Sequence, residues 1–237
     1  MSQPSRTASP RLKARLAGVF YLLTIGIGAF DHLTVGRGVA IGGDAIRTAH
    51  NLLAYEPLYR IAFALDLAPV YVVVTVLFYQ LLKPVSPTWS LLAAAMSLVG
   101  GAVGSAIAVM QLQPVLTLVS ASALSAFDPA QRDQLAMLML DLHATGFLIS
   151  LVFFGAYCMI LGGLIFASRF MPRLVGLLLA LGGGAYLGYS LADFVSPSLA
   201  SAFAGPALLL GSLGEAVLTL WLLVFGVDAA RWRQRAS

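Results

Sequence analysis

The stretch Leu138–Phe166, "LMLDLHATGFLISLVFFGAYCMILGGLIF", decides the fold class. From Ala144 to Phe166 it contains no acid, no base and no histidine. A helix needs roughly 20 mostly apolar residues to cross a bilayer, and this run has them. Two polar residues, Asp141 and His143, stand at its mouth. Five other segments read the same way. The expected spans are residues 15–34, 57–82, 88–112, 138–167, 173–194 and 205–227. Composition agrees: 59% of residues are hydrophobic and 10% are charged, against about 25% charged in soluble domains. A surface so poor in charge must largely face lipid. The fold class expected is therefore an all-α, polytopic bundle of six transmembrane helices.

The linkers and charges set the topology. "LLKPVSPTW" separates spans two and three, and "ASRFMPRL" separates spans four and five. Ten basic residues fall on one side: Arg6, Arg11, Lys13, Arg15, Lys83, Arg169, Arg173, Arg231, Arg233 and Arg235. Four fall on the other: Arg37, Arg47, Arg60 and Arg132. The positive-inside rule then places both termini in the cytoplasm, with the bundle in the inner (plasma) membrane. Residues 1–14 and 228–237 read as basic tails flanking a single membrane domain over 15–227. The N-terminal run has no small-x-small cleavage site and reads as an uncleaved first span. The net charge of +4 lies at span ends and forms no nucleic-acid patch. Cys158 is the only cysteine, which excludes an intramolecular disulfide.

Two outer segments carry helix-start signals. "GGDAIRTAHNLLAY" offers Asp44 as an N-cap and an amphipathic helix with Ile46, Ala49, Leu52 and Leu53 on one face. "FDPAQRDQLAML" offers Asp128 as N-cap, Pro129 at the first helical position and Gln131 at the third, so span four should start outside the hydrocarbon. Gly100 and Gly104, and Gly184 and Gly188, are pairs four apart that let helices approach closely. "GGG" at 182–184 lacks the Lys-Ser or Lys-Thr of a phosphate loop.

Ionisable residues inside spans are costly and face the bundle interior or a water-filled cavity. With a rise of 1.5 Å per residue, Asp31 and His32 lie roughly 21 Å from the cytoplasmic edge. Asp66 lies roughly 14 Å beyond Pro57, and Glu215 about as far beyond Pro206. Gln111, Asp193, Asp141 and His143 fall at outer ends. Almost every such residue is in the outer half. The expectation is an outward-facing polar cavity whose ligand-binding set is Asp31, His32, Arg60, Asp66, Gln111, Asp141, His143, Asp193 and Glu215.

Each residue also has a structural reading. Glu56 and Arg60, four apart, suit an ion pair. Asp66 and Glu215 can pair with Arg60 or carry a proton. Asp141 and His143 are two apart and point to different faces of a helix, so His143 is the expected lining residue of the two. No His-Glu-x-x-His or paired cysteine is present. No metal, cofactor or catalytic residue is assigned.

The chain resembles the bacterial membrane proteins grouped as the domain of unknown function 4386 family. The resemblance lies in "RLAGVFYLLTIGIGAF", "NLLAYEPLYRIAFALDL", "LDLHATGFLISLVFFGAYCMILGGLIF", "MPRLVGLLLALGGGAYL" and "GEAVLTLWLLVFGV". By that resemblance Arg15, Gly18, Arg60, Asp66, Asp141, His143, Gly155, Pro172, Gly176, Tyr186, Gly214, Glu215 and Trp221 fall on family positions. It implies a membrane fold and supplies no substrate. The leading functional expectation is a non-enzymatic membrane protein that binds or moves a small molecule or lipid. In it Arg60 is an anion anchor, and Asp66 and Glu215 are proton-coupled carboxylates. A second reading is an intramembrane metal-dependent enzyme built on His143, His32, Asp31, Asp141 and Glu215. A third is a structural or assembly protein without a ligand. Membrane lipids are the expected partners, with no nucleic acid.

Overall fold

The structure, a computed structural model, describes residues 9–31, 33, 44–66, 69–119 and 125–237. The described residues form helices and no strand. In chain order these are α1 (Pro10–Asp31), α2 (Ala45–Ala54), α3 (Glu56–Asp66), α4 (Val70–Leu82), α5 (Pro87–Val119), α6 (Pro129–Ser168), α7 (Arg173–Val195), α8 (Pro197–Val224) and α9 (Ala229–Ala236). Six stretches are long and apolar enough to cross a membrane: α1, α3 with α4, α5, α6, α7 and α8. This is the make-up of a multi-pass membrane protein.

Several helices outrun the expected spans. α1 already begins at Pro10, so Arg11, Lys13 and Arg15 ride on its first turns. α5 continues through Pro114 to Val119. A proline removes one backbone donor, and neighbouring helices in a bundle can satisfy the carbonyl it frees. α8 likewise starts at Pro197 and carries Pro206 inside. At the start of α6 the capping box forms in full. Gln131 N donates to Asp128 Oδ1 at 2.8 Å, and Asp128 N donates to Gln131 Oε1 at 3.0 Å. Asp44 caps α2 by accepting from Arg47 N at 2.9 Å. The buried stripe of α2 is Ala45, Thr48, Ala49 and Leu52. Ile46 and Leu53, expected on that face, are exposed. Small residues take the packed side and the larger ones point away.

The chain packs as two compact units. The first comprises residues 1–23, 70–100 and 151–237. Its core gathers Tyr21, Phe78, Leu81, Tyr157, Leu161, Ile165, Leu179, Leu218 and Leu222. Backbone proximity replaces side-chain bulk along α6 and α7. A Cβ on Gly162 would lie 2.5 Å from the Gly176 carbonyl oxygen, and one on Gly155 would lie 2.7 Å from that of Gly183. A Cβ on Gly214 of α8 would lie 2.8 Å from the Leu178 oxygen. These are the glycines that close the helix seams. Gly188, expected to do so, meets open space, and Gly184 meets only Met159 Sδ at 4.0 Å. Past α8, Gly226 takes φ 68°, and Trp221 Nε1 donates to its carbonyl at 3.1 Å. The chain then turns into α9, which is pinned by Trp232 Nε1 donating to Leu81 O at 2.8 Å.

The second unit comprises residues 24–69 and 101–150. Leu52, Tyr59, Ala62, Val115, Ala136 and Leu140 form its core, with Phe30 and Leu118 packed against it. Gly146 faces Ile107, and Gly104 faces Ser150 Oγ at 3.4 Å.

Candidate functional site

In the second unit the polar residues gather around Asp31, the last residue of α1. Gln111 of α5 is completely buried. Its Nε2 donates to Asp31 Oδ1 at 2.6 Å. Its Oε1 is buried with no hydrogen-bond partner among the described residues. Tyr59 of α3 is 1% exposed, and its hydroxyl is also buried and unpartnered among them. Tyr59, Asp66 and His143 all stand within electrostatic reach of Asp31. Asp66, at the end of α3, and His143 of α6 are half-buried. Four helices (α1, α3, α5 and α6) therefore bring five polar side chains to one neighbourhood. Buried polar atoms are nearly always hydrogen-bonded, and a group left without a partner calls for an explanation. The Tyr157 hydroxyl, within electrostatic reach of Glu215 in the first unit, is likewise buried and unpartnered among the described residues.

The other expected residues lie apart from Asp31. Arg60 forms the ion pair with Glu56, Nε to Oε1 at 2.8 Å, and its side chain is 44% exposed. Asp141 is exposed; its backbone carbonyl accepts from Thr145 Oγ1 at 3.0 Å. Asp193, three residues from the start of the next helix's cap, is half-buried near Tyr189, one turn before it on α7. His32 lies outside the described residues. An open depression of about 650 Å³ beside the start of α6, between Phe127 and Leu138, contains none of the expected site residues.

Glu215 belongs to the first unit, and two tyrosines hold it. Tyr186 of α7 donates to Oε1 at 2.8 Å, and Tyr21 of α1 donates to Oε2 at 3.1 Å. Tyr186 also approaches Ser212 Oγ at 3.4 Å. The Tyr186 ring rests on Gly211 of α8, where a Cβ would overlap the hydroxyl end of the ring. Phe154 packs against Tyr71, Tyr157 and Tyr186, with ring centroids 5.8–6.2 Å apart. Each carboxylate oxygen thus has its own hydroxyl donor inside an aromatic wall.

Tyr21 and Tyr59 stand in no expected set, and Tyr186 stands only among the positions that the resemblance marks. Counted as apolar, they vanish into the hydropathy of their spans. The usable signal was a phenol inside an otherwise aliphatic helix, since a buried Tyr hydroxyl usually finds a partner. No group of three or more His, Cys, Asp or Glu residues that could hold a metal ion occurs among the described residues.

The model of the family described as Domain of unknown function (DUF4386) matches residues 16–226. The chain belongs to the DUF4386 family. The match covers both polar clusters, from Asp31 and Gln111 to Glu215, so both sit inside the family domain. No curated protein and no solved structure matches this DUF4386 chain.

Proposed function

We propose that the chain is an integral protein of the inner membrane that binds or moves a small molecule or lipid at the Asp31 cluster. The observation that carries this reading is the pair of buried polar atoms beside Asp31, Gln111 Oε1 and the Tyr59 hydroxyl, unpartnered among the described residues. Polar residues kept only to lock helices would satisfy each other, because an unmade buried hydrogen bond costs about 1–3 kcal/mol. A binding site keeps such atoms for its ligand. The stability of the ligand-free protein is the test. Tyr59→Phe removes a hydroxyl that no described residue satisfies, so the midpoint of thermal unfolding in detergent should hold or rise. A clear fall would mean that the hydroxyl is part of a structural lock, and the binding reading would go with it.

The charge distribution supports cytoplasmic termini, which puts Asp31, Asp66, Gln111 and His143 toward the extracytoplasmic face. Cys158 is the only cysteine and is buried, so the wild-type chain is a quiet background for labelling. Ser125 is exposed in the turn before α6, and Ser237 is exposed beyond α9. Ser125→Cys should react with a membrane-impermeant maleimide in intact cells. Ser237→Cys should react only after the membrane is opened. The reverse pattern would invert the topology.

A further inference from the structure

One end of the first unit gathers arginines. The junction between α8 and α9 ties the helix ends together there. Asp228 N donates to Phe170 O in the α6–α7 turn at 3.1 Å, and Trp232 Nε1 donates to Leu81 O at the end of α4 at 2.8 Å. A Cβ on Gly226 would lie 3.7 Å from the Arg11 carbonyl oxygen near the start of α1. α9 then brings Arg231, Arg233 and Arg235, all exposed, to the end that already holds the exposed Arg169 and Arg173. Asp228 is the only acid there among the described residues, and it is occupied. Its Oδ1 caps α9 by accepting from Ala230 N at 3.0 Å and Arg231 N at 3.1 Å, and its Oδ2 pairs with Arg231 Nε at 3.4 Å. Arg169 and Arg173 have no ion pair among the described residues.

Arg169 is the decisive residue. It follows the last residue of α6 and takes φ 63°, a left-handed conformation in which glycine is unstrained and a side chain is not. Its backbone carbonyl accepts from Arg231 Nη1 at 3.1 Å, a bond that glycine at 169 would make equally well. The fold therefore spends strain on a position whose side chain is an exposed charge without an ion pair, and such strain clusters where ligands are held. The same bond sets Arg231 against the turn. Arg173 joins from the first residue of α7, with its guanidinium 5.3 Å over the ring of Phe166. Phe166 and Leu174 are exposed beside it, as apolar groups that meet acyl chains at the edge of a span are. We propose that Arg169, Arg173 and Arg231 bind the phosphate headgroup of an anionic phospholipid whose acyl chains run against Phe166 and Leu174. The guanidinium fork matches phosphate oxygens, and the adjoining apolar surface favours a lipid over a free phosphate.

Thermal unfolding of the purified full chain in a neutral detergent, followed by tryptophan fluorescence, tests this with three probes. They are dihexanoyl phosphatidylglycerol, dihexanoyl phosphatidylcholine and glycerol phosphate. Phosphatidylglycerol should raise the midpoint saturably, and less so as salt is added. The other two should leave it in place. Arg169→Gly separates the charge from the backbone. Without lipid its midpoint should hold or rise, because the strain is relieved, while its apparent affinity for phosphatidylglycerol should fall about fivefold. Arg173→Gln should weaken the lipid by a similar factor and leaves the Arg231–Arg169 bond intact. An equal shift by phosphatidylcholine overturns the anionic headgroup, and an equal shift by glycerol phosphate overturns the lipid. A phosphatidylglycerol shift that neither substitution alters places the lipid elsewhere and overturns the proposal, as does the absence of any shift.

Discussion

Gly162→Ala should destabilise the protein by about 1–3 kcal/mol, the usual cost of forcing extra volume into a packed interior. Gly163→Ala, one residue along the same helix, should be neutral or stabilising. The added atom is the same methyl group in both. At Gly162 it would lie 2.5 Å from the Gly176 carbonyl oxygen and 2.6 Å from the Ala180 backbone nitrogen. Neither is the far end of a flexible side chain, so α6 and α7 must move apart. At Gly163 nothing lies within 4 Å, and alanine is about 1 kcal/mol better than glycine inside a helix. Separating α6 from α7 also disturbs the Gly155–Gly183 contact a heptad away. Lipid offers little penalty against exposing apolar faces, so close packing carries much of the association energy between these helices. Chemical or thermal unfolding of the two variants in one detergent measures the difference directly. Equal stabilities would mean that the seam is not the contact that holds α6 to α7.

The contrast between neighbouring glycines shows where the sequence stops being legible. Hydropathy locates all six spans, because crossing hydrocarbon demands a length of apolar residues that nothing else in a chain this size requires. Caps are legible for the same local reason. Asp128 with Gln131, and Asp44 before α2, announce their helix starts through chemistry confined to four residues. Faces are not legible. In water the buried side of a helix is its apolar side. In lipid both sides are apolar, so a spacing of four selects Gly184 and Gly188, while Gly176 and Gly183, seven apart, hold the seam. On the amphipathic α2 the reason is different: size as well as polarity sorts the faces, and the small Ala45 and Thr48 hold the packed side where Ile46 and Leu53 were expected. In the candidate site, the carboxylates and His143 stand out because charge inside a span is rare. Their grouping does not stand out. Asp31 and Gln111 are 80 residues apart and meet only through the fold. The phenols of Tyr21, Tyr59 and Tyr186 hide in an apolar count, although two of them hold Glu215.

The Glu215 clamp yields the sharpest test of such a hidden residue. Gly211→Ala should cost about 2–5 kcal/mol, combining overpacking with a half-buried carboxylate oxygen stripped of its donor. The reason is geometric. The Tyr186 ring occupies the space that a Cβ on Gly211 would need, and that position is what brings its hydroxyl to 2.8 Å from Glu215 Oε1. Any side chain at 211 pushes the ring off and breaks the bond. Tyr21 holds the other oxygen and cannot take over the first. The cost therefore belongs to the pair and not to Gly211 alone. In a Tyr186→Ala background the ring is gone, and Gly211→Ala should then cost little or even fill part of the space left behind. Residues in direct contact show interaction energies of roughly 0.5–3 kcal/mol in such cycles, and this pair belongs at the upper end. Additive effects would show that Tyr186 is free to keep Glu215 without Gly211 beneath it. A strongly non-additive cycle would make Gly211 the positioning residue that sets Tyr186 against the acid, and Glu215→Leu, which removes the acceptor, should then abolish most of the coupling that passes through the hydrogen bond.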